Sequence, residues 1–395
     1  MPNPHETPAR RVAVTAMGIV SPLGLGTAEN AASLRAGRDC ISPVTTFDVS
    51  KTRAKTAGQA GEFQISERLH PASKMMIASA RELSDADPAF QPESMVIGTT
   101  SGGMSFGEQF HRALIEQGRA REAAFWLANY MPQKAVLDAA SDRGWNAPSQ
   151  VIANACASGT NAIGHAFRLI RAGKYRRVLC GGYDAFSEMV FVGFDSLQAS
   201  TPEKIRPFDR NRTGLVLGEG AALFALEEME SAKQRGATIL AEVTGYGIST
   251  DNHHLTQPHP SGIGPRQAME RALADARRAP AEVDYINAHG TATAFNDATE
   301  GTAIAQIFGD RVPVSSTKSM MGHSLGAAGA IEAAFCILAL RGQFLPPNIN
   351  YTEADPAWSL NIVANTARDA RVRCVVSNSF GFGGTNASII LEAAS

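Results

Sequence analysis

Short apolar runs rich in Val and Ile recur at residues 11–16, 95–99, 151–155, 177–180 and 221–226, separated by Ala-rich segments of helical character. Runs of this length read as buried strands, and their alternation with helices predicts an α/β fold. The theme returns in the second part of the chain. Apolar runs at 241–246, 285–287 and 312–315 are followed by closing strands at 373–376 and 387–391, with helices expected over 265–278 and 325–340. Residues 249–264, with their Asp, Asn, His, Pro and Gly, form the longest loop-like stretch. Residues 102–146 read as a largely helical elaboration that lines a pocket or makes a subunit contact.

Two local similarities between the halves point to an internal duplication. A strand runs into a small-residue helix start at Asn154-Ala155-Cys156-Ala157-Ser158-Gly159, and again around Met321-Gly322-His323-Ser324-Leu325-Gly326-Ala327-Ala328-Gly329. A Gly-rich turn precedes an apolar strand ending in Glu at 214–227 and at 381–392. Two such halves, 1–245 and 246–395, would bring both helix starts to one centre.

Bulk composition narrows the class. A chain of 395 residues that is 44% hydrophobic and 19% charged can bury a large core, as one domain or as two packed halves. A net charge of -2 gives no global reason to expect nucleic acid or an anionic membrane as partner. The five cysteines, Cys40, Cys156, Cys180, Cys336 and Cys374, are scattered and odd in number, which fits neither a zinc site nor a disulfide scaffold and implies a reduced cytoplasm. Residues 1–11 are polar with no apolar signal core, and no uninterrupted apolar stretch reaches membrane-spanning length.

Cys156 follows an apolar run and precedes a helix, so it sits where a strand turns into a helix. Unpaired N–H groups and the positive helix end at such a point favour thiolate over thiol. Most lone cysteines in such proteins are inert core residues, and the other four carry that reading. Company distinguishes Cys156: His289 in Asn287-Ala288-His289-Gly290-Thr291-Ala292-Thr293, and His323, five residues after Lys318. The set offers a nucleophile, two imidazoles and a cation.

Ala155-Cys156-Ala157-Ser158-Gly159, His289-Gly290-Thr291, Ser315-Ser316-Thr317-Lys318, Gly322-His323 with Gly326-Ala327-Ala328-Gly329, and Asn378-Ser379-Phe380-Gly381-Phe382-Gly383-Gly384-Thr385-Asn386 closely resemble, in order, the elongating β-ketoacyl-acyl carrier protein synthases. The similarity spans nearly the whole chain. It implies the thiolase-like fold, duplicated βαβ halves in an α-β-α-β-α core, usually in a dimer. It implies that Cys156 takes an acyl chain from a carrier-protein thioester, with the oxyanion held by the N–H groups of Cys156 and Phe380. His289 and His323 would hold the malonyl thioester and the enolate left by decarboxylation. Lys318 would order the site, paired with Glu332, and favour a nearby thiolate.

The same resemblance makes Phe380, Gly381, Phe382 and Gly383 a mobile gate, and Thr291, Thr293 and Thr256 contacts for the phosphopantetheine arm. Asp297 and Glu300 match acidic positions, Glu300 where some members hold a structural monovalent cation; no other cofactor is expected. Lys74, Arg206 and Arg210 would dock the acyl carrier protein. The partner subunit would be a second copy or a chain-length factor.

One departure concerns the acyl pocket. Ser101 stands where related enzymes often carry a branched residue at its inner end, so a smaller, more polar wall is expected. A thiolase would need a second cysteine in the Gly-rich loop 381–386, which has none. An initiating synthase would pair one histidine with an asparagine, and an inactive chain-length factor would lack Cys156. The alternatives left open are housekeeping fatty-acid elongation, a specialised polyketide or aryl polyene system, and a catalytically silent carrier-binding subunit.

Overall fold

The structure is a computed structural model that describes residues 10–116, 118 and 120–394, with the side chains of 120 and 122 left aside. The polar start read above as lacking a signal core falls largely at residues 1–9, outside the described residues.

In the first half, β1 (Val12–Ser21), β2 (Ser94–Gly98), β3 (Ser149–Ile152), β4 (Arg177–Asp184) and β5 (Gly220–Glu228) lie in the spatial order β3-β2-β4-β5-β1. In the second, β6 (Ala241–Thr250), β7 (Tyr285–Asn287), β8 (Pro313–Ser315), β9 (Cys374–Gly381) and β10 (Thr385–Glu392) lie in the order β8-β7-β9-β10-β6. Numbered within its own half, each sheet reads 3-2-4-5-1. The strand senses also match: β2 is parallel to β3 and β4, as β7 is to β8 and β9, and the remaining pairs are antiparallel. The duplication read from two short motifs is therefore a duplicated topology. The sheets join where β1 pairs with β6, from Val12 opposite Val243 to Val14 opposite Ala241.

This placement moves the division between halves. A boundary at 245 would cut β6, which runs unbroken from Ala241 to Thr250, so the second half begins at Ala241. Strands also outrun their apolar cores. β1 extends to Ser21 with every position buried, because both of its faces are covered. β7 and β8 do not outrun theirs, and β3 stops at Ile152, short of the expected 155, where the chain turns to present Cys156.

Helices α1 (Pro71–Ala86), α2 (Met104–Ile115), α3 (Ala120–Tyr130), α4 (Gln133–Arg143), α5 (Ser158–Arg171), α6 (Glu188–Ser196), α7 (Ile263–Ala276), α8 (Ala294–Phe308) and α9 (Ala328–Gly342) fill the layers. Ile163 and Phe167 of α5 pack with Ile331 and Phe335 of α9 between the sheets. Met75 and Leu83 of α1 cover the outer face of the first sheet, and Met269 of α7 with Phe308 of α8 cover that of the second. In β10, Ile389 faces the central layer and its neighbour Ile390 the outer one, the two-residue period of a strand buried on both sides.

The central helices meet near their starts, at glycines. A Cβ at Gly159 would lie 2.8 Å from the N of Ala330, and one at Gly329 only 2.0 Å from Thr160 Oγ1. Among the described residues, 325–342 are long and apolar enough to cross a membrane; in the fold they are the central helix, with Glu332 inside it.

Candidate active site

Ala155 adopts a left-handed conformation, φ 55°, which costs a non-glycine residue strain and turns the chain sharply between β3 and α5. The Ser158 hydroxyl donates to Ala155 O at 2.6 Å and accepts from Asn154 N–H at 3.0 Å, holding the turn. Cys156 sits at its apex, buried, with the start of α5 behind it. His323 follows Gly322, whose φ of 77° and lack of a side chain let this turn lie against Leu217. Its Nε2 is 3.0 Å from Cys156 Sγ. His289 follows β7; its ring centroid lies 5.2 Å from that of His323, nearly perpendicular to it.

Burial dominates the electrostatics. Desolvation pushes the Cys156 thiol up to about 12, opposed by the Lys318 cation and reinforced by the Asp184 carboxylate. The expected thiolate is thus corrected: the resting sulfur is a thiol, because removal from water outweighs the helix end and Lys318. Burial and Lys318 also hold His289 and His323 well below the usual imidazole range, so both are neutral at pH 7. Lys318 is fully buried and bonded to Glu332, as expected. A sulfur and two ring nitrogens, all within 4.8 Å of one another, would also suit a soft divalent ion.

The second N–H donor differs from expectation. Phe380 is the penultimate residue of β9, paired with Asn386, and its buried ring lies 5.9 Å from that of His289. The N–H groups that reach the sulfur are those of Cys156 itself and of Phe382, the first residue past the strand. Gly381 permits this approach: a Cβ there would lie 3.0 Å from Cys156 N. The Phe382 ring stacks on Phe194 at 5.5 Å, and Gly383 (φ 80°) and Gly384 (φ 73°) follow in left-handed conformations.

A cavity of about 270 Å³ opens over this group. Thr291, Thr293 and Thr256 line it with Cys156, His289 and His323, and the hydroxyls of Thr291 and Thr293 are 2.9 Å apart. Phe194, Phe295 and Asp251 also line it and carried no motif that would have singled them out. Asp297 is buried, accepting the N–H groups of Phe208 and Ala292 and so tying two loops together. Glu300 accepts from the N–H groups of His289 and Gly290, each at 2.8 Å, and from the side-chain amides of Asn378 and Asn296. Those donors occupy both carboxylate oxygens, so the residues present do not fit a cation held by Glu300.

Ser101 is buried; its hydroxyl donates to Asp184 Oδ1 at 2.7 Å, and it does not line this cavity. The three basic residues are not brought to one spot. Lys74 lies on α1, which covers the outer face of the first sheet. Arg206 and Arg210 lie near the cavity-lining Arg212, each already paired with a carboxylate, Glu203 and Glu353.

With this geometry in place, comparison with known proteins is decisive. Residues 9–232 match the N-terminal domain of beta-ketoacyl synthases and residues 240–352 the C-terminal domain. The chain belongs to the β-ketoacyl synthase family. It is 38% identical to a 3-oxoacyl-[acyl-carrier-protein] synthase 2 of Coxiella burnetii, covering 97% of this chain and 98% of that one. Its fold superposes on the ishigamide ketosynthase/chain length factor with a TM-score of 0.93, at 35% identity over 98% of this chain and 100% of that one. A type II polyketide ketosynthase solved with its acyl-carrier protein and a hexaketide gives a TM-score of 0.90, at 28% identity over the same shares. The fold is accordingly the thiolase-like one that these ketosynthases share. The family's matched domains meet between 232 and 240, on the N-terminal side of β6.

Proposed function

We propose that this ketosynthase joins an acyl group held on Cys156 to malonyl-carrier protein, extending the chain by two carbons with loss of carbon dioxide. The observation that carries the reading is the convergence of Cys156, His323, His289 and the N–H groups of Cys156 and Phe382 on one cavity.

The Cys156 sulfur attacks the carrier thioester carbonyl while its proton passes, by way of His323 Nε2 at 3.0 Å, to the departing pantetheine sulfur. The two N–H groups receive the oxyanion; donors of this kind are worth about 10²–10³ in rate each. Malonyl-carrier protein then enters, with Thr291, Thr293 and Thr256 along the pantetheine path. The carboxylate leaves as carbon dioxide, and its electron pair forms an enolate on the thioester oxygen. Two neutral imidazoles suit that oxygen, since each can donate one hydrogen bond without first losing a proton. The enolate carbon attacks the acyl carbon, the Cys156–acyl bond breaks, and the departing thiolate takes up a proton from solvent by way of His323. Lys318, bonded to Glu332, acts through the field it sets on these groups.

Several features support the partners. Arg210, exposed, and Arg206, half-buried, lie a few residues before the cavity-lining Arg212 and suit an acidic carrier protein. The edge strand β3 and the exposed apolar residues Leu127, Met189 and Val192 support a second subunit, either another copy or a chain-length factor. The likeness to the ishigamide ketosynthase/chain length factor favours the heterodimer as the second reading. Five free cysteines, one of them the nucleophile, suit the cytoplasm.

The test is incubation with acyl-carrier and malonyl-carrier proteins, read by intact-protein mass spectrometry beside Cys156→Ala. A 3-oxoacyl carrier two carbons longer, with transient acyl mass on the wild type only, is expected. No acyl mass on Cys156 from any donor, with or without a chain-length factor, would leave a silent carrier-binding subunit.

A further inference from the structure

Asp184 ends β4 as a fully buried carboxylate, and among the described residues no cation is bonded to it. Its Oδ1 accepts from Thr99 Oγ1 at 2.8 Å and from the N–H and hydroxyl of Ser101 at 2.8 and 2.7 Å, with the Gly102 N–H at 3.3 Å. Its Oδ2 accepts from Thr100 N–H at 2.9 Å and Gly326 N–H at 2.6 Å. Burial pushes this carboxyl up, and the hydrogen bonds to both oxygens pull it back toward the ionised form.

These bonds connect three places that share no strand. Residues 99–102 lead from β2 into α2, and there Thr100 Oγ1 donates to the carbonyl of Ala155 at 3.1 Å, on the strained turn that raises Cys156. Gly326 belongs to the turn between His323 and α9, in the other half of the duplication. The closeness needs a glycine: a Cβ at Gly326 would lie 2.6 Å from Thr100 N and 2.7 Å from Asp184 Oδ2.

We infer that Asp184 is a positioning residue, clamping loop 99–102 of one half to the Gly326 turn of the other and so fixing the spacing of Cys156 and His323. An asparagine cannot replace it. Rigid backbone N–H groups face both oxygens, so either orientation of the amide sets its NH2 against a donor. The carboxylate also opposes ionisation of the nearby thiol, which gives the clamp an electrostatic signature separate from its geometric one.

The inference rests on the proposed condensing role only for its rate readout. The full-length wild type, Asp184→Asn and Gly326→Ala are compared in acylation by an acyl-carrier thioester, iodoacetamide alkylation between pH 6 and 9, and thermal melting. Both variants should acylate at least about tenfold more slowly, since small misplacements of reacting groups carry penalties of that order. Asp184→Asn should alkylate faster at every pH because the opposing charge is gone, whereas Gly326→Ala, which keeps the charge, should not. Acylation by both variants within about twofold of wild type would overturn the clamp. So would an unmoved alkylation line in Asp184→Asn. If Asp184→Asn does not fold, Gly326→Ala decides the geometric claim alone. If wild type is acylated by no carrier yet alkylates normally, the proposed function fails, and the alkylation lines still judge the clamp.

Discussion

Gly383 offers a way to perturb the second N–H donor without touching any reacting group. It adopts φ 80° and ψ 3°, is exposed, and would have nothing within 4 Å of an added Cβ. Its own N–H donates to Leu255 O at 2.7 Å, a bond that any residue but proline keeps. Gly383→Ala therefore introduces no clash, and its whole effect is the left-handed backbone, which costs an alanine about 1–2 kcal/mol. That energy depletes the observed loop conformation by about 5- to 30-fold. Phe382 is the preceding residue, and in this conformation its N–H faces Cys156 Sγ. The rate of Cys156 acylation should fall by the same factor, followed by quenched-flow mass spectrometry. Gly383→Asn is the control, since asparagine tolerates the left-handed region and should recover most of the rate. Equal slowing by alanine and asparagine, or wild-type acylation in Gly383→Ala, would refute the assignment of Phe382 as donor.

With the thiol pushed up to about 12, its ionised fraction at pH 7 is ~10⁻⁵, and iodoacetamide alkylation should climb about tenfold per pH unit from 6 to 9. A plateau with a midpoint below pH 8 would mean a resting thiolate after all. Lys318→Met leaves Glu332 buried without its cation and should cost about 3–5 kcal/mol in urea unfolding, while Lys318→Met/Glu332→Gln should regain most of it. A double variant no more stable than the single one would remove the pair from the account. Burial lifts Glu300 to about 7, above its ordinary 4.5. The folded chain thus holds that proton more tightly than the unfolded one, so the contribution is fully present below about pH 4.5 and is lost as pH rises through about 7. The unfolding free energy of wild type relative to Glu300→Gln should fall between pH 5 and 7.5, and a flat difference would contradict it.

The parts of this site legible in the sequence are those fixed by local chain geometry. A cysteine between an apolar strand and a small-residue helix, and histidines ending strands, state where they will stand whatever packs around them. The donor at Phe382 was missed by two residues because Phe380-Gly381-Phe382 has the same pattern in either register; only the end of β9 at Gly381 selects the N–H that faces the sulfur. The bond from Ser101 to Asp184 was not legible because Asp184 is remote in sequence and looks ordinary there. The thiol's protonation was misjudged for a related reason. The helix start and Lys318 are visible in the sequence, while the burial that outweighs them belongs to the assembled fold.

Duplication explains why so much of the chemistry lies between parts that the sequence presents separately. Each half supplies the start of one central helix: Cys156 precedes α5 and His323 precedes α9, and Gly159 and Gly329 let those starts touch. Neither half holds Cys156 together with His289 or His323, so the site exists only in the contact between halves. Contacts such as Asp184 with Gly326, or Gly381 with the backbone of Cys156, therefore set the spacing of the reacting atoms as directly as the reacting residues do. It follows that substitutions at these glycines should slow acylation more than they lower the melting point, whereas those in the outer layers, at Met75 or Met269, should do the reverse.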